Sequence, residues 1–282
     1  MRPTKPAHSL LEEGATSPES KEPTHTPIPY TIELRSVSKV FATGSGRILA
    51  LDRVSVSVQP GEFISFVGPS GCGKSTLLSI VAGLISPSAG EVRLNGSRVD
   101  EPSRTVGIMF QAPVLLPWRT VEKNVLLPSE VFHADRDEYQ SRARQVLDLV
   151  GLTEFADAYP RQLSGGMQQR AALARVLVYE PQVLLMDEPF GALDEFTREA
   201  MNLELLRIAA QAQVTVLFVT HNINEAIFLG DRVVVMTPRP GRAAGIVRVP
   251  FERPRQIELM HNPMFADLVF EVRGLLGGGV GH

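Results

Sequence analysis

Cysteine is nearly absent from this chain: Cys72 is the only one in 282 residues. That excludes an intrachain disulfide framework and fits a reducing compartment. Basic excess is also missing. The formal net charge is -3, which gives no reason to expect a nucleic-acid partner, since such proteins carry a basic stripe or surplus. No uninterrupted apolar run is long enough to span a bilayer, and Asp187 and Glu188 break the most apolar stretch. The N-terminus has no apolar secretory core. What is present is ordinary globular material: 44% hydrophobic and 21% charged residues, enough for a substantial core and too apolar for a wholly disordered chain.

Residues 1–29 contain six prolines and almost no large apolar side chains. Ordering them would cost entropy with no burial to offset it, so a disordered tail is expected. The glycine-rich stretch 277–282 is expected to fray. Between them, Ile32 and Leu34, then Val54, Val56 and Val58, alternate with polar residues as strands do. Phe63 to Val67 is a short continuous apolar run, the mark of a buried parallel strand. From Lys74 to Leu84 the spacing turns helical, with Leu77, Leu78, Val81 and Leu84 on one face. Helices are expected over 137–150, 167–178, 195–210 and 222–229, and strands over 183–186, 214–219 and 232–236. This alternation predicts an α/β fold with a mainly parallel sheet covered on both faces, and an antiparallel side sheet from the N-terminal strands.

Gly68-Pro69-Ser70-Gly71-Cys72-Gly73-Lys74-Ser75 fits the phosphate-loop pattern in full, between a predicted strand and a predicted helix. Its glycines permit turns that aim successive amides inward, and the following helix N-terminus adds to the cradle for β- and γ-phosphates. Lys74 supplies a point charge and the Ser75 hydroxyl a ligand for Mg²⁺. Cys72 is either a small filler or a redox switch. Asp187 ends a buried strand, where its carboxylate can hold the Mg²⁺ shell. Glu188 beside it can act as general base on a water molecule. Leu163-Ser164-Gly165-Gly166-Met167-Gln168 then opens another helix with a hydroxyl and free amides, a second anion site. One γ-phosphate does not need two complete cradles from one chain, so the second is assigned to the nucleotide of another copy.

With these three motifs in this order the chain resembles the ATP-binding subunit of an ATP-binding-cassette (ABC) transporter, over about residues 31–250. The resemblance implies a phosphate-loop ATPase core with a helical subdomain nested at about 112–165, inside a domain spanning 30–255, followed by a C-terminal helix in 256–282. It implies ATP and Mg²⁺ as ligands and extends the phosphate loop to Thr76. Phe41 matches the aromatic that stacks on adenine. Gln111 matches the glutamine that contacts Mg²⁺ or water and links the site to the membrane partner. The signature runs from Leu163 to Gln168, Asp194 lies in the loop that crosses the dimer interface, and His221 matches the histidine that touches the γ-phosphate.

A finer resemblance, to the nitrate/sulfonate/taurine branch of importers, rests on Leu115–Val121, Phe190–Arg198, Met236–Gly241 and Pro263–Leu276. The segment before the signature lacks the Glu-Arg-Gly element of exporters, which also favours import. The partners implied are transmembrane permease subunits, a second ATPase subunit (a homodimer) and, through the permease, an extracytoplasmic substrate-binding protein. The location implied is peripheral, on the cytoplasmic face of the cell membrane. The alternatives are an exporter subunit or an ABC-type ATPase outside transport. Trp118 belongs either to the groove that receives the permease or to the core.

Overall fold

The computed structural model describes residues 31–44 and 46–277. The expectations for the tail 1–29 and for the end beyond Gly277 lie outside them. Strands β1 (Ile32–Thr43) and β2 (Gly46–Val58) pair antiparallel, and the alternating Val54, Val56 and Val58 face inward as expected. β3 (Phe63–Val67) leads through the glycine loop to α1 (Lys74–Val81). The helix stops three residues earlier than its spacing predicts. Gly83 takes a left-handed φ of +73°, the chain turns away, and Leu84 ends 49% exposed instead of on the buried face.

Next come β4 (Ala89–Leu94), β5 (Ser97–Arg98) and β6 (Val106–Met109), none of which the apolar pattern marks. β4 and β5 join the N-terminal pair in a four-stranded antiparallel sheet ordered β2-β1-β4-β5. The helices α2 (Val121–Val125), α3 (Leu127–Phe132) and α4 (Arg136–Leu149) follow β6, and α5 (Gly165–Leu177) returns the chain to β7 (Val183–Asp187). Then α6 (Glu195–Ala212), β8 (Thr215–Thr220), α7 (Ile223–Leu229), β9 (Arg232–Met236) and β10 (Ala243–Arg248) complete the second sheet, and α8 (Pro263–Gly277) packs on its β10 edge. That sheet is ordered β10-β9-β3-β8-β7-β6 and is parallel except for β10.

The central strands read as unbroken apolar runs because both faces are covered. On β8, Val216 and Phe218 face the helical side while Leu217 and Val219 face α1 and the antiparallel sheet. The same split places Leu184 and Met186 of β7 on the helical side and Val183 and Leu185 on the other. Each such side chain, moved from water to the interior, contributes about 1.5–3 kcal/mol. Parallel strands place their C-terminal ends on one edge of the sheet, and that edge carries the glycine loop after β3 and the carboxylates after β7. Among the described residues no helix is long and apolar enough to cross a membrane.

Candidate functional site: a phosphate loop facing two carboxylates

The loop after β3 turns on glycines with positive φ. Gly73 caps α1 with φ of +104°, and a Cβ there would lie 2.7 Å from Leu51 Cδ2 and 3.0 Å from the Ala50 carbonyl oxygen. Gly71 is left-handed at +75°. Lys74, only 4% exposed, folds back so that its ammonium donates to the carbonyls of Gly68 (2.7 Å) and Pro69 (3.1 Å). The same Nζ lies 3.9 Å from Glu188 Oε1. Cys72 is buried among Leu77, Val234 and Met236, and burial raises its thiol pKa, with Lys74 opposing. Burial disfavours the thiolate, and the side chain packs within the apolar cluster beneath the loop.

Asp187 ends β7 beside Ser75. Burial raises its carboxyl pKa; the Ser75 hydroxyl donates to it and lowers it, and neighbouring Glu188 raises it again. Glu188 has a left-handed backbone, φ 46°, unusual for a residue with a Cβ. Its amide donates to the Val219 carbonyl (2.9 Å), and His221 Nδ1 lies 2.9 Å from its Oε2. Glu188 therefore stands between the phosphate-loop lysine and the histidine at the end of β8.

These groups surround a cavity of about 620 Å³, whose walls include Phe41, Ser70, Gly71, Lys74, Ser75, Thr76, Gln111, Asp187 and Glu188. Phe41 and Ile48 form its apolar end. A larger concavity of about 750 Å³ beside β5 carries neither the glycine loop nor the two carboxylates. The Gln111 amide nitrogen lies 3.5 Å from the place a Cβ on Gly191 would take, beside Glu188 Oε2. The Ser75 hydroxyl, the Asp187 carboxylate and the Gln111 amide are hard oxygen donors, too few to enclose a cation alone. That donor set fits Mg²⁺, which keeps waters and phosphate oxygens as its remaining ligands. The cradle of Gly71 and Gly73, where any Cβ would be strained, fits a triphosphate.

The signature residues lie outside this cavity. Ser164 and Gly165 are exposed at the N-terminus of α5, and the Ser164 hydroxyl accepts from the Met167 amide at 3.3 Å. Gly166 is buried under α6, where a Cβ would sit 3.1 Å from Thr197 Cγ2. The Gln168 amide donates to the carbonyls of Pro160 (3.1 Å) and Leu163 (3.3 Å), bracing its own loop. Asp194 caps α6, accepting from the Thr197 amide (3.0 Å) and hydroxyl (2.7 Å).

Trp118 is 71% exposed, not core. Asn124, fully buried, holds its loop by accepting from the Leu116 amide and donating to the carbonyls of Leu116, Arg119 and Thr120. Val114 and Leu116, but not Trp118, line an apolar groove of about 390 Å³ closed by Val131 and Tyr179.

Three residues at or near the site escape sequence reasoning. Gln169 is buried on α5 and donates to the Gln111 carbonyl at 2.9 Å. Glu225, 5% exposed, accepts from the Thr220 hydroxyl directly behind His221; Arg198 and Asn202 of α6 face it. Its signal was a lone carboxylate inside the apolar run from Ile223 to Leu229. Arg239 lines the cavity from the turn after β9, and no spacing marks it.

The ABC transporter family model matches residues 51–191. The bicarbonate transport ATP-binding protein CmpD of Synechococcus elongatus is 46% identical over 244 residues, 85% of this chain and 87% of that protein. The nitrate import ATP-binding protein NrtD of the same organism is 45% identical over 85% of this chain and 89% of that protein. Among solved structures, the dimeric post-hydrolysis ATP-binding cassette MJ0796, bound to ADP and Pi, aligns with a TM-score of 0.68 at 34% identity over 78% of this chain and all of that one. The chain belongs to the ABC transporter family, as an ATP-hydrolysing subunit similar to those of nitrate and bicarbonate transporters.

Proposed function

We propose that this chain drives the import of a small anion, such as nitrate, bicarbonate or an organic sulfonate, by ATP-dependent closure of a homodimer. The observation that carries the reading is Glu188, held between Lys74 at 3.9 Å and His221 at 2.9 Å at the end of β7. In the proposed cycle adenine stacks on Phe41 and the triphosphate lies on residues 68–76. Ser75, Gln111 and Asp187 would hold Mg²⁺, which would supply positive charge against the triphosphate. Glu188 takes a proton from water as the water oxygen bonds to the γ-phosphorus. The bond to the bridging oxygen breaks, and ADP leaves with the electron pair. His221, oriented by Glu188 through Nδ1, presents Nε2 to the γ-phosphate, and Gln111 orients the water.

Ser164, Gly165, Gly166 and Gln168 serve the nucleotide of the second copy. Support comes from their position outside the cavity of their own chain, together with the dimeric form of the structural relative bound to ADP and Pi. Asp194 and its loop face that second copy. The groove at Val114, Leu116 and Val131 receives a permease element on the cytoplasmic face of the membrane, and an extracytoplasmic binding protein selects the anion. The nitrate and bicarbonate relatives support the substrate class.

The test is Glu188→Gln. Loss of a general base costs about 10²–10⁴ in rate, so phosphate release should fall by that factor while ATP still binds and holds a closed dimer. Tagged Glu188→Gln protein with ATP should recover a multi-span permease from solubilised native membranes. Near wild-type hydrolysis would overturn the role of Glu188. Recovery of soluble proteins alone would overturn the transport reading.

A further inference from the structure

Arg239 lies in the stretch Met236–Gly241, which carries no assigned role at the site, yet it shares the cavity wall with Phe41, Ser70 and Lys74. One Nη nitrogen of its guanidinium lies 4.0 Å from the point that a Cβ on Gly71 would occupy, so it stands over the middle of the phosphate loop.

The turn that carries it is clamped on three sides. The Gly241 amide donates to the Ala50 carbonyl and the Asp52 amide to the Gly241 carbonyl, both at 2.9 Å, which ties the turn to β2. Arg242 pairs with Asp52 at 2.6 Å. The Thr237 hydroxyl donates to the Pro240 carbonyl at 3.0 Å and closes the turn on itself. Beneath it, Gly241 approaches the phosphate loop so closely that a Cβ would lie 2.0 Å from the Cys72 carbonyl oxygen. Turn and loop are packed as one unit, and Arg239 is presented from a fixed base.

Among the described residues its charge has no partner. Arg232, Arg242, Arg253 and Arg255 of the same region each pair with a carboxylate. Arg239 makes no hydrogen bond or ion pair among the described residues, and it is exposed. The cavity wall otherwise offers two carboxylates, Asp187 and Glu188, against a single cation, Lys74, whose ammonium is already shared between two carbonyls. A triphosphate brought there together with Asp187 and Glu188 still carries more negative charge than a bound Mg²⁺ and Lys74 would offset. A guanidinium is suited to this, since its planar donors match phosphate oxygens in pairs.

We infer that Arg239 is a nucleotide-binding residue that grips the phosphate chain over Gly71, a second cation on the phosphate loop supplied by the β9–β10 turn. The inference rests on the reading that the cavity binds ATP. The test measures ATP and ADP dissociation constants by calorimetry on the full chain, with Mg²⁺, for Arg239→Lys, Arg239→Ala and Arg239→Glu, with Lys74→Ala beside them. Loss of one charge-assisted contact weakens binding about tenfold. Affinity should therefore fall in the order Arg, Lys, Ala, Glu, with Arg239→Ala about tenfold weaker and Arg239→Glu weaker still. A merely structural role would not follow the sign of the charge. A loss for ATP alone locates the contact at the γ-phosphate, and a loss for both nucleotides locates it nearer the β-phosphate. Parent affinity in both Arg239→Ala and Arg239→Glu, with Lys74→Ala weakened, overturns the inference and leaves the ATP site standing. Parent affinity in Lys74→Ala as well overturns the site itself.

Discussion

Glu225 shows how one residue can serve the site at a cost to the fold. Burial raises its carboxyl pKa, with the Thr220 hydroxyl and the charges of Arg198 and His221 opposing. A carboxyl whose folded pKa is raised binds more protons in the native state than in the unfolded chain. Stability therefore falls as pH climbs from the ordinary carboxylate range through the raised value, and above it the fold bears the full penalty of a buried charge. Glu225→Gln keeps an acceptor for Thr220 and removes that penalty. The melting temperature of Glu225→Gln should exceed that of the parent at pH 8 and match it near pH 4. A variant less stable than the parent at pH 8 would mean that the ionised carboxylate is a net stabiliser. Glu188, between Lys74 and His221, sits one strand away, and its left-handed φ of 46° is the backbone cost of aiming it there.

At the scale of elements, the site depends on strands too short to read. β6 is four residues, Val-Gly-Ile-Met, and pairs with β7 from Val106↔Val183 to Met109↔Met186. Its glycine lets α5 approach: a Cβ on Gly107 would lie 2.4 Å from Val176 Cγ1 and 3.1 Å from Pro181 Cγ. Gly107→Ala should cost about 1–3 kcal/mol through overpacking. It should also shift Gln111, two residues beyond the strand, which would lower ATP hydrolysis more than ATP binding. Denaturant unfolding and steady-state kinetics check the two parts.

The same elements mark the limits of the sequence. The βα unit around the phosphate loop was legible because an apolar run, a glycine loop and a helical stripe adjoin in order. β4 and β6 hid because each is short and contains a glycine. α2 and α3 hid because they are five and six residues long and share Leu126 as a junction, too short for a helical stripe to repeat. Phosphate-loop residues, Asp187 and Glu188 stood out through local spacing. Gln169 and Arg239 did not, since what places them at the site is contact between segments 58 residues apart in one case and the docking of a whole turn in the other.

For the whole molecule, the question is what the exposed signature is for. Ser164 and Gly165 face outward from the cavity of their own chain. Ser164→Arg places a bulky cation there and should leave ATP bound to the monomer while hydrolysis is lost. Sedimentation with ATP should then show a monomer where the parent, carrying Glu188→Gln, sediments as a dimer. Hydrolysis at the parental rate would mean that one chain completes its own site.

Helix α5 joins these surfaces. Ser164 caps one end, Gln169 holds the Gln111 carbonyl in its middle, and at the far end Arg175 donates to the carbonyls of Val114 (2.8 Å) and Pro113 (3.2 Å). Its 13 residues make a rod about 20 Å long. Nothing flexible intervenes between the groove lip at Val114 and the outward tip at Ser164, so the two ends tilt together. On the proposed reading the helix is a lever: a permease element that moves the groove lip would move Ser164 with it, and so reach the second copy without an intervening joint.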